Sequence, residues 1–388
     1  MITTRLLRHI NSLRCLRLLQ DGRTMSRADM ARALRQTRAS VGNAIVELVQ
    51  AGLVIEDADA ASESRVGRPG IGVRLNAEGA FFVGIDIGTR VITGVVMDLQ
   101  MTVVGRVVEL VGDNYRNPEY VLARLLSIKD EVIARSSVAK DKIQGLAVSV
   151  PGVVGYDGSV VHAPFLEWQN FPLRDRILPS CPEEWVTEVR NDAFAFASAE
   201  LSVTDPAMAQ NMLVLLMAEG IGSAAISDGK LITGAHGYAG ELGHMAISVK
   251  GRAESFEELA GAKSFPTYMT AGMSVMEGVE RLIAEIPSGK ANSTLEFWAE
   301  ALAHGLANAI HFMDPAQIVL GGPLASLFPF VSDRVGALLE TLLLKGFIVP
   351  SIKVASFGPD GAAIGAAATI RERIFSMPDL EEAASSAQ

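Results

Sequence analysis

Two sets of short apolar strands, each interrupted by a glycine turn, constrain this chain more than any other feature. Phe81–Ile87, 91–99 and 102–110 are β-rich runs joined by tight connections, and a helix is predicted over 118–135. The pattern returns at 212–217, 223–227 and 230–233, with 318–320 as a later strand flanked by helices. Both sets cross a Gly-containing turn after the first strand, Asp86-Ile87-Gly88-Thr89 in one and Glu219-Gly220-Ile221-Gly222 in the other. Glycine at such turns permits close approach of the backbone to a ligand such as a phosphate. A duplicated unit of this kind predicts an α/β fold of two lobes, each bringing one turn to a shared cleft.

Composition agrees with a large folded protein. Of 388 residues, 49% are hydrophobic and 20% charged, enough to bury substantial cores. Cys15 and Cys181 cannot form a disulfide framework or supply a three-thiolate zinc site. No run approaches the roughly 18 uninterrupted apolar residues of a membrane helix. The start of the chain carries Arg5, Arg8, Arg14 and Arg17 and therefore has no secretory hydrophobic region. The expected location is the cytoplasm, with no membrane partner.

The net charge of −10 is unevenly placed. Residues 1–50 hold nine Arg, no Lys and three acids, a net +6, whereas the remainder holds 25 bases and 41 acids, a net −16. A basic head on an acidic body suits a head that meets a polyanion. Within that head, apolar spacing predicts a helix over 6–19 that stops at Asp21-Gly22. Ser26, with Asp29 three residues on, opens a second helix through Leu34, and Thr37 caps a third that runs to about Ala51. This is the helix-turn-helix arrangement, in which the last helix enters the major groove. Its outward residues Thr37, Arg38, Ser40 and Asn43, with Ser26 and Arg27 at the start of the preceding helix, are the candidate DNA contacts. Residues 53–56 and 71–75 read as a β-hairpin wing. Arg65 and Arg68, in its Gly/Pro-rich tip, are able to follow a minor groove, though an ordinary flexible tip has the same composition.

The body carries an ordered series of motifs: Gly84-Ile85-Asp86-Ile87-Gly88, Val150-Pro151-Gly152, Asn191-Asp192, and Gly237-Tyr238-Ala239-Gly240-Glu241-Leu242-Gly243-His244. Asp314-Pro315, Gly321-Gly322 and Gly358-Pro359-Asp360 follow. On these strings the chain, from residue 5 to about 375, resembles the ROK family of repressors and sugar kinases, and in particular its transcriptional-regulator branch. The resemblance implies an actin-like, sugar-kinase α/β fold of two lobes with an N-terminal winged helix-turn-helix domain. The implied division is 1–77 for the head, 78–200 plus a C-terminal helix at about 361–388 for lobe 1, and 201–360 for lobe 2. A sugar cleft would lie between the lobes. It further implies that Asn191, Asp192, Glu241 and His244 bind sugar hydroxyls, with Glu257 as a fifth residue, or Glu258 if the alignment shifts by one. Carboxylates, an amide and an imidazole can satisfy hydroxyls that both donate and accept. His162, His304 and His311 read as ordinary structural histidines.

The sequence also departs from that family. The family's first loop reads Asp-x-Gly-Gly-Thr-Lys; here it is Asp86-Ile87-Gly88-Thr89-Arg90, one Gly shorter and without Lys. Glu219 precedes the second pair, Gly220 and Gly222, and a carboxylate beside a triphosphate repels it by about 1 kcal/mol at 4 Å in water, more at lower dielectric. The family's zinc-binding Cys-x-Cys-Gly-x-x-Gly-Cys is replaced by 245–256 with no Cys, and Phe165 stands where the family has Asn. Asp86, Gly88, Thr89, Gly220 and Gly222 are therefore expected to be vestigial phosphate loops, and Asp192 a vestigial general-base position. No zinc, no ATP and no enzymatic activity are expected. The reading is a sugar-responsive regulator, a repressor, taking a sugar or sugar phosphate and binding a palindromic operator as a homodimer or dimer of dimers. A sugar kinase with an appended head, or a regulator whose signal is a protein partner, are the alternatives.

Overall fold

A computed structural model of the chain describes residues 4–20, 22–57, 71–270 and 272–375. The head has three helices, Thr4–Leu18, Arg27–Leu34 and Arg38–Gln50, and a small antiparallel sheet in the order Met25–Ser26, Gly72–Leu75, Val54–Asp57. Both caps fall at the hydroxyl residues the sequence indicated. The Ser26 side chain accepts from the Asp29 amide and the Thr37 side chain from that of Ser40, satisfying first-turn N–H groups that otherwise lack partners. The apolar faces of the helices close over Cys15, Leu16, Leu19, Met30, Ile45 and Leu48. The wing tip with Arg65 and Arg68 lies outside the described residues, as does the tail from 376 onward.

The body is built around two five-stranded sheets with one connectivity. In the first, Phe81–Ile87 pairs antiparallel with Val91–Asp98, which pairs antiparallel with Val103–Leu110; on its other side it runs parallel to Ile143–Val150, which runs parallel to Val186–Asn191. In the second, Asn211–Met217 pairs antiparallel with Ile221–Ser227, which pairs with Lys230–Leu231. On its other side it runs parallel to Gln317–Gly321 and then Ser351–Val354. The duplication is thus a matter of topology, although the third strand of the second lobe is a two-residue stub rather than the expected 230–233.

Each sheet is followed by a helix, Asp192–Val203 in lobe 1 and Gly361–Phe375 after lobe 2. These two helices lie back to back between the sheets, and small residues make that possible. A Cβ on Gly365 would sit 1.6 Å from the Ala195 carbonyl oxygen, and one on Gly84 would sit 2.0 Å from that of Ala363. Toward the other sheet, a Cβ on Gly222 would lie 2.9 Å from the Ala193 methyl. The Gly/Ala-rich run 361–368 is therefore a close-packing surface.

The apolar segment 323–345 is not one continuous helix: the chain forms tight 3₁₀ turns at Pro323–Phe330 and then the helix Ser332–Leu342. Pro329 lacks the N–H that a helix interior needs, and Val331 adopts φ −130°, outside the helical range. The other long stretch, Asn292–Met313, is one helix of 22 residues. No helix among the described residues is long and apolar enough to cross a membrane.

The packing predicts opposite signs for two glycine-to-alanine changes. Gly336→Ala, in an exposed stretch of the Ser332–Leu342 helix with nothing within 4 Å of the new methyl, stabilises the protein by about 0.5–1 kcal/mol. Gly365→Ala destabilises it by about 1–3 kcal/mol, because the helices must separate. Denaturant unfolding of the two variants measures both; a stabilising Gly365→Ala would contradict the close packing.

Candidate functional site

On the recognition helix, Thr37, Arg38, Ala39, Asn43 and Val46 are exposed, while Val41, Ala44, Ile45 and Leu48 face the core. Arg38 and Asn43 thus project from the solvent face. Ser40 is tied to the first helix, since its hydroxyl accepts from Asn11 Nδ2 at 2.9 Å. Arg27 pairs with Glu56 of the wing at 2.8 Å, joining the second helix to the hairpin. Ser26 is occupied as a cap and also donates to Asp29 Oδ2 at 2.6 Å. Arg35, which sequence reasoning passed over, stands exposed at the turn between the two helices with φ 53°, the left-handed end of the Arg27–Leu34 helix. Its place two residues before the Thr37 cap was the available signal.

In the body, both turns reach the cleft between the lobes, where they touch each other. The Thr89 hydroxyl donates to Glu219 Oε1 at 2.6 Å, a hydrogen bond across 130 residues of sequence. The adjacent glycines are crowded by protein. A Cβ on Gly220 would meet Glu257 Oε2 at 2.6 Å and the Phe165 ring at 2.9 Å, and one on Gly88 would meet the Val91 carbonyl oxygen at 3.0 Å. None of Gly88, Gly220 and Gly222 has positive φ, so close approach alone explains them.

Below the turns, Asn191 and Asp192 open the helix Asp192–Val203. Asn191 is its N-cap: Oδ1 accepts from the Phe194 amide at 3.0 Å, and Nδ2 donates to the Gly152 carbonyl at 3.0 Å. Asp192 is the first helical residue, and its Oδ1 accepts from the Ala193 amide at 2.8 Å. The Gly237–His244 segment folds over the strand Ile221–Ser227, with the Ser223 hydroxyl donating to the Gly240 carbonyl. It brings Glu241 and His244 to the same cleft: His244 Nε2 lies 3.7 Å from Glu241 Oε2, and Nδ1 lies 3.3 Å from Glu257 Oε1. Glu258 turns away to pair with Lys263, which selects Glu257. The opening below is bounded by Gly152, Tyr156, Asn191, Phe194, Gly237 and Glu241. Tyr156 crosses from lobe 1 and donates from its hydroxyl toward Thr233 at 3.0 Å. Elsewhere, His304 Nδ1 lies 2.8 Å from the Glu300 carbonyl oxygen and His311 Nε2 accepts from the Leu344 amide at 3.0 Å, structural roles both.

The electrostatics of this cleft are set by crowded acids. Burial, then the nearby charge of Asp86 and that of Glu241, pushes the Asp192 carboxyl up to about 8. Burial raises Asp86 to about 6 against an opposing hydrogen bond from Ser149 at 2.7 Å. Glu241 is also raised, by burial first, with His244 opposing. An acid whose folded pKa is raised binds its proton more tightly than in the unfolded chain. Between about pH 4 and pH 8 the folded state therefore carries more protons, and stability falls as pH rises.

Asp192→Asn removes that ionisation. Its melting temperature is expected to equal that of the parent near pH 4 and to exceed it by at least about 2 °C at pH 8.5. Parallel melting curves across that range would contradict the assignment.

Comparison with known proteins agrees with this architecture. Residues 82–373 match the model of the ROK family. The chain is 24% identical over 406 aligned positions to a xylose repressor of Caldicellulosiruptor bescii, covering 96% of this chain and 98% of that protein. It is 22% identical to a glucokinase of Halalkalibacterium halodurans, which spans 76% of this chain and 97% of its own length. Among solved structures, a ROK family transcriptional regulator, homolog of the E. coli MLC protein, superposes with a TM-score of 0.76 at 21% identity, covering 95% of this chain and 97% of that one. The fold is shared along nearly the whole chain, head included, and by its matched residues this protein belongs to the ROK family.

Proposed function

We propose that this protein is a sugar-responsive transcriptional regulator, a repressor of carbohydrate genes, whose cleft binds its effector without chemistry. The observation that carries this reading is the Thr89–Glu219 hydrogen bond. It sets a carboxylate between the two turns where a kinase of this fold would hold phosphates, and phosphoryl transfer depends on positioning and on neutralising phosphate charge. Asp192 remains at the floor as a sugar ligand rather than a base in use. The helix-turn-helix head and the near-full coverage of the xylose repressor and of the ROK transcriptional regulator support the DNA-binding half.

The cleft chemistry favours an unphosphorylated sugar. Asp86, Asp192, Glu219, Glu241 and Glu257 line or adjoin it, and His244 sits between two of them. The ionised carboxylates among them suit hydroxyl donors and repel a phosphate, while Asp192, protonated below about pH 8, both donates and accepts. Neither family cofactor fits the residues present. Residues 246–255 form a β-hairpin, Ala246–Val249 against Arg252–Ser255, with no thiol to bind zinc beside His244, and Glu219 opposes a nucleotide. The protein acts in the cytoplasm as a symmetric dimer, since one recognition helix reads few base pairs and two-fold symmetry doubles the site. The acidic body keeps DNA contact to the heads.

Two measurements check this. Arg38→Ala weakens binding to a specific operator by roughly tenfold or more in fluorescence anisotropy, the discrimination expected of one base-reading arginine; unchanged affinity for operator and random DNA alike would displace the recognition helix. A coupled ADP-release assay with MgATP and a panel including D-xylose and D-glucose shows no sugar-stimulated turnover. Turnover that disappears in Asp192→Asn would instead establish the kinase reading.

A further inference from the structure

We propose that Glu188 couples occupancy of the cleft to the position of the DNA-binding head, as the shared counter-ion of Arg190 in the cleft wall and Arg373 in the C-terminal helix. This rests on the effector role of the cleft argued above. Glu188 and Arg190 lie two apart on the strand Val186–Asn191, hence on one face of it. Glu188 is buried, with its side chain 7% exposed. Its Oε2 accepts from Arg190 at 3.0 Å (Nη2) and 3.1 Å (Nε), and its Oε1 pairs with Arg373. Arg190 also lies over the Phe194 ring at 5.6 Å, and both residues line the opening.

The same last turn of that helix also holds the head. Arg371 is buried, donates from Nε to the Leu99 carbonyl at 2.8 Å, and lies over the Phe375 ring at 4.4 Å. The Phe375 carbonyl accepts from Arg17 Nε of the first head helix at 2.8 Å, and Glu372 Oε1 accepts from Gln20 Nε2 at 3.3 Å. The buried head residues Leu16 and Leu19 belong to the same apolar cluster as Ile370 and Phe375. Contacts therefore run unbroken from the cleft wall to the head.

The two guanidiniums hold opposite oxygens of one buried carboxylate, so a shift of either one moves the group that positions the other. A sugar oxygen that accepts from Arg190 draws that guanidinium toward the cleft, and Glu188 then shifts relative to Arg373. The reverse follows by linkage: displacing the head shifts the helix and is felt at Arg190.

Hydrogen exchange on the full chain tests this without a ligand. In Arg17→Ala, exchange is expected to rise about threefold or more in 361–375 and also in 186–191. In the double variant with Glu188→Gln, a near-isosteric change, the 186–191 segment exchanges as in Glu188→Gln alone. Arg373→Met, altered at an exposed position, gives the same uncoupling. An unchanged 186–191 segment in Arg17→Ala would overturn the proposal. With D-xylose as probe, Glu188→Gln retains sugar binding by calorimetry and operator binding by anisotropy, while any sugar-induced change in operator affinity falls below about twofold. Full coupling in Glu188→Gln would also overturn it. No sugar binding by the parent protein, by contrast, would count against the effector reading and leave the exchange result to decide the coupling.

Discussion

The hydrogen bond from Thr89 to Glu219 joins the two lobes at the point where their duplicated turns meet. A cleft of this topology otherwise presents two sets of backbone N–H groups to an anion. Here a carboxylate from one turn satisfies a hydroxyl from the other, and Glu257 and Phe165 fill the space beside Gly220. The lobes are thus held by protein atoms in the region that would otherwise be bridged by nucleotide. The polar floor, by contrast, brings Asn191 and Glu241 to one opening, with Asp192 next to Asn191 and His244 between Glu241 and Glu257.

The same duplication gives the cleft its mechanical output. The helix that starts at Asp192 packs on the helix that ends at Phe375, with Ala195 and Gly365 in direct backbone contact. Packed interiors of this density transmit small shifts rather than absorbing them. Because the C-terminal helix also contacts the first head helix, a movement of the Asp192 helix has a physical route to the DNA-binding surface. A ligand shifts such an equilibrium only by its differential affinity for the two states, so the polar floor and the helix junction must act together.

Much of this was legible in the sequence, because it depends on local signals. The caps at Ser26 and Thr37, the third head helix and the strand triplets follow from hydroxyl caps and apolar period, whereas Asp192, Glu241, His244 and Glu257 were named through the resemblance to the ROK family. What stayed hidden depends on tertiary proximity. Nothing local says that Thr89 meets Glu219, or that Glu188 lies between Arg190 and Arg373. Asn191 rather than Asp192 is the N-cap, a choice that backbone geometry makes between two adjacent capable residues. The break in 323–345 is marked in the sequence by Pro329, which lacks the N–H a helix interior needs. Glycines at the turns were read as room for phosphate; their neighbours show that crowding by protein requires them.

The central claim is that occupancy of the cleft, not turnover, carries the signal. It is tested most directly by the operator affinity of the full chain as a function of D-xylose and D-glucose concentration, with and without MgATP. The account predicts that whichever sugar binds shifts the affinity identically in both conditions. A shift that requires MgATP would contradict it.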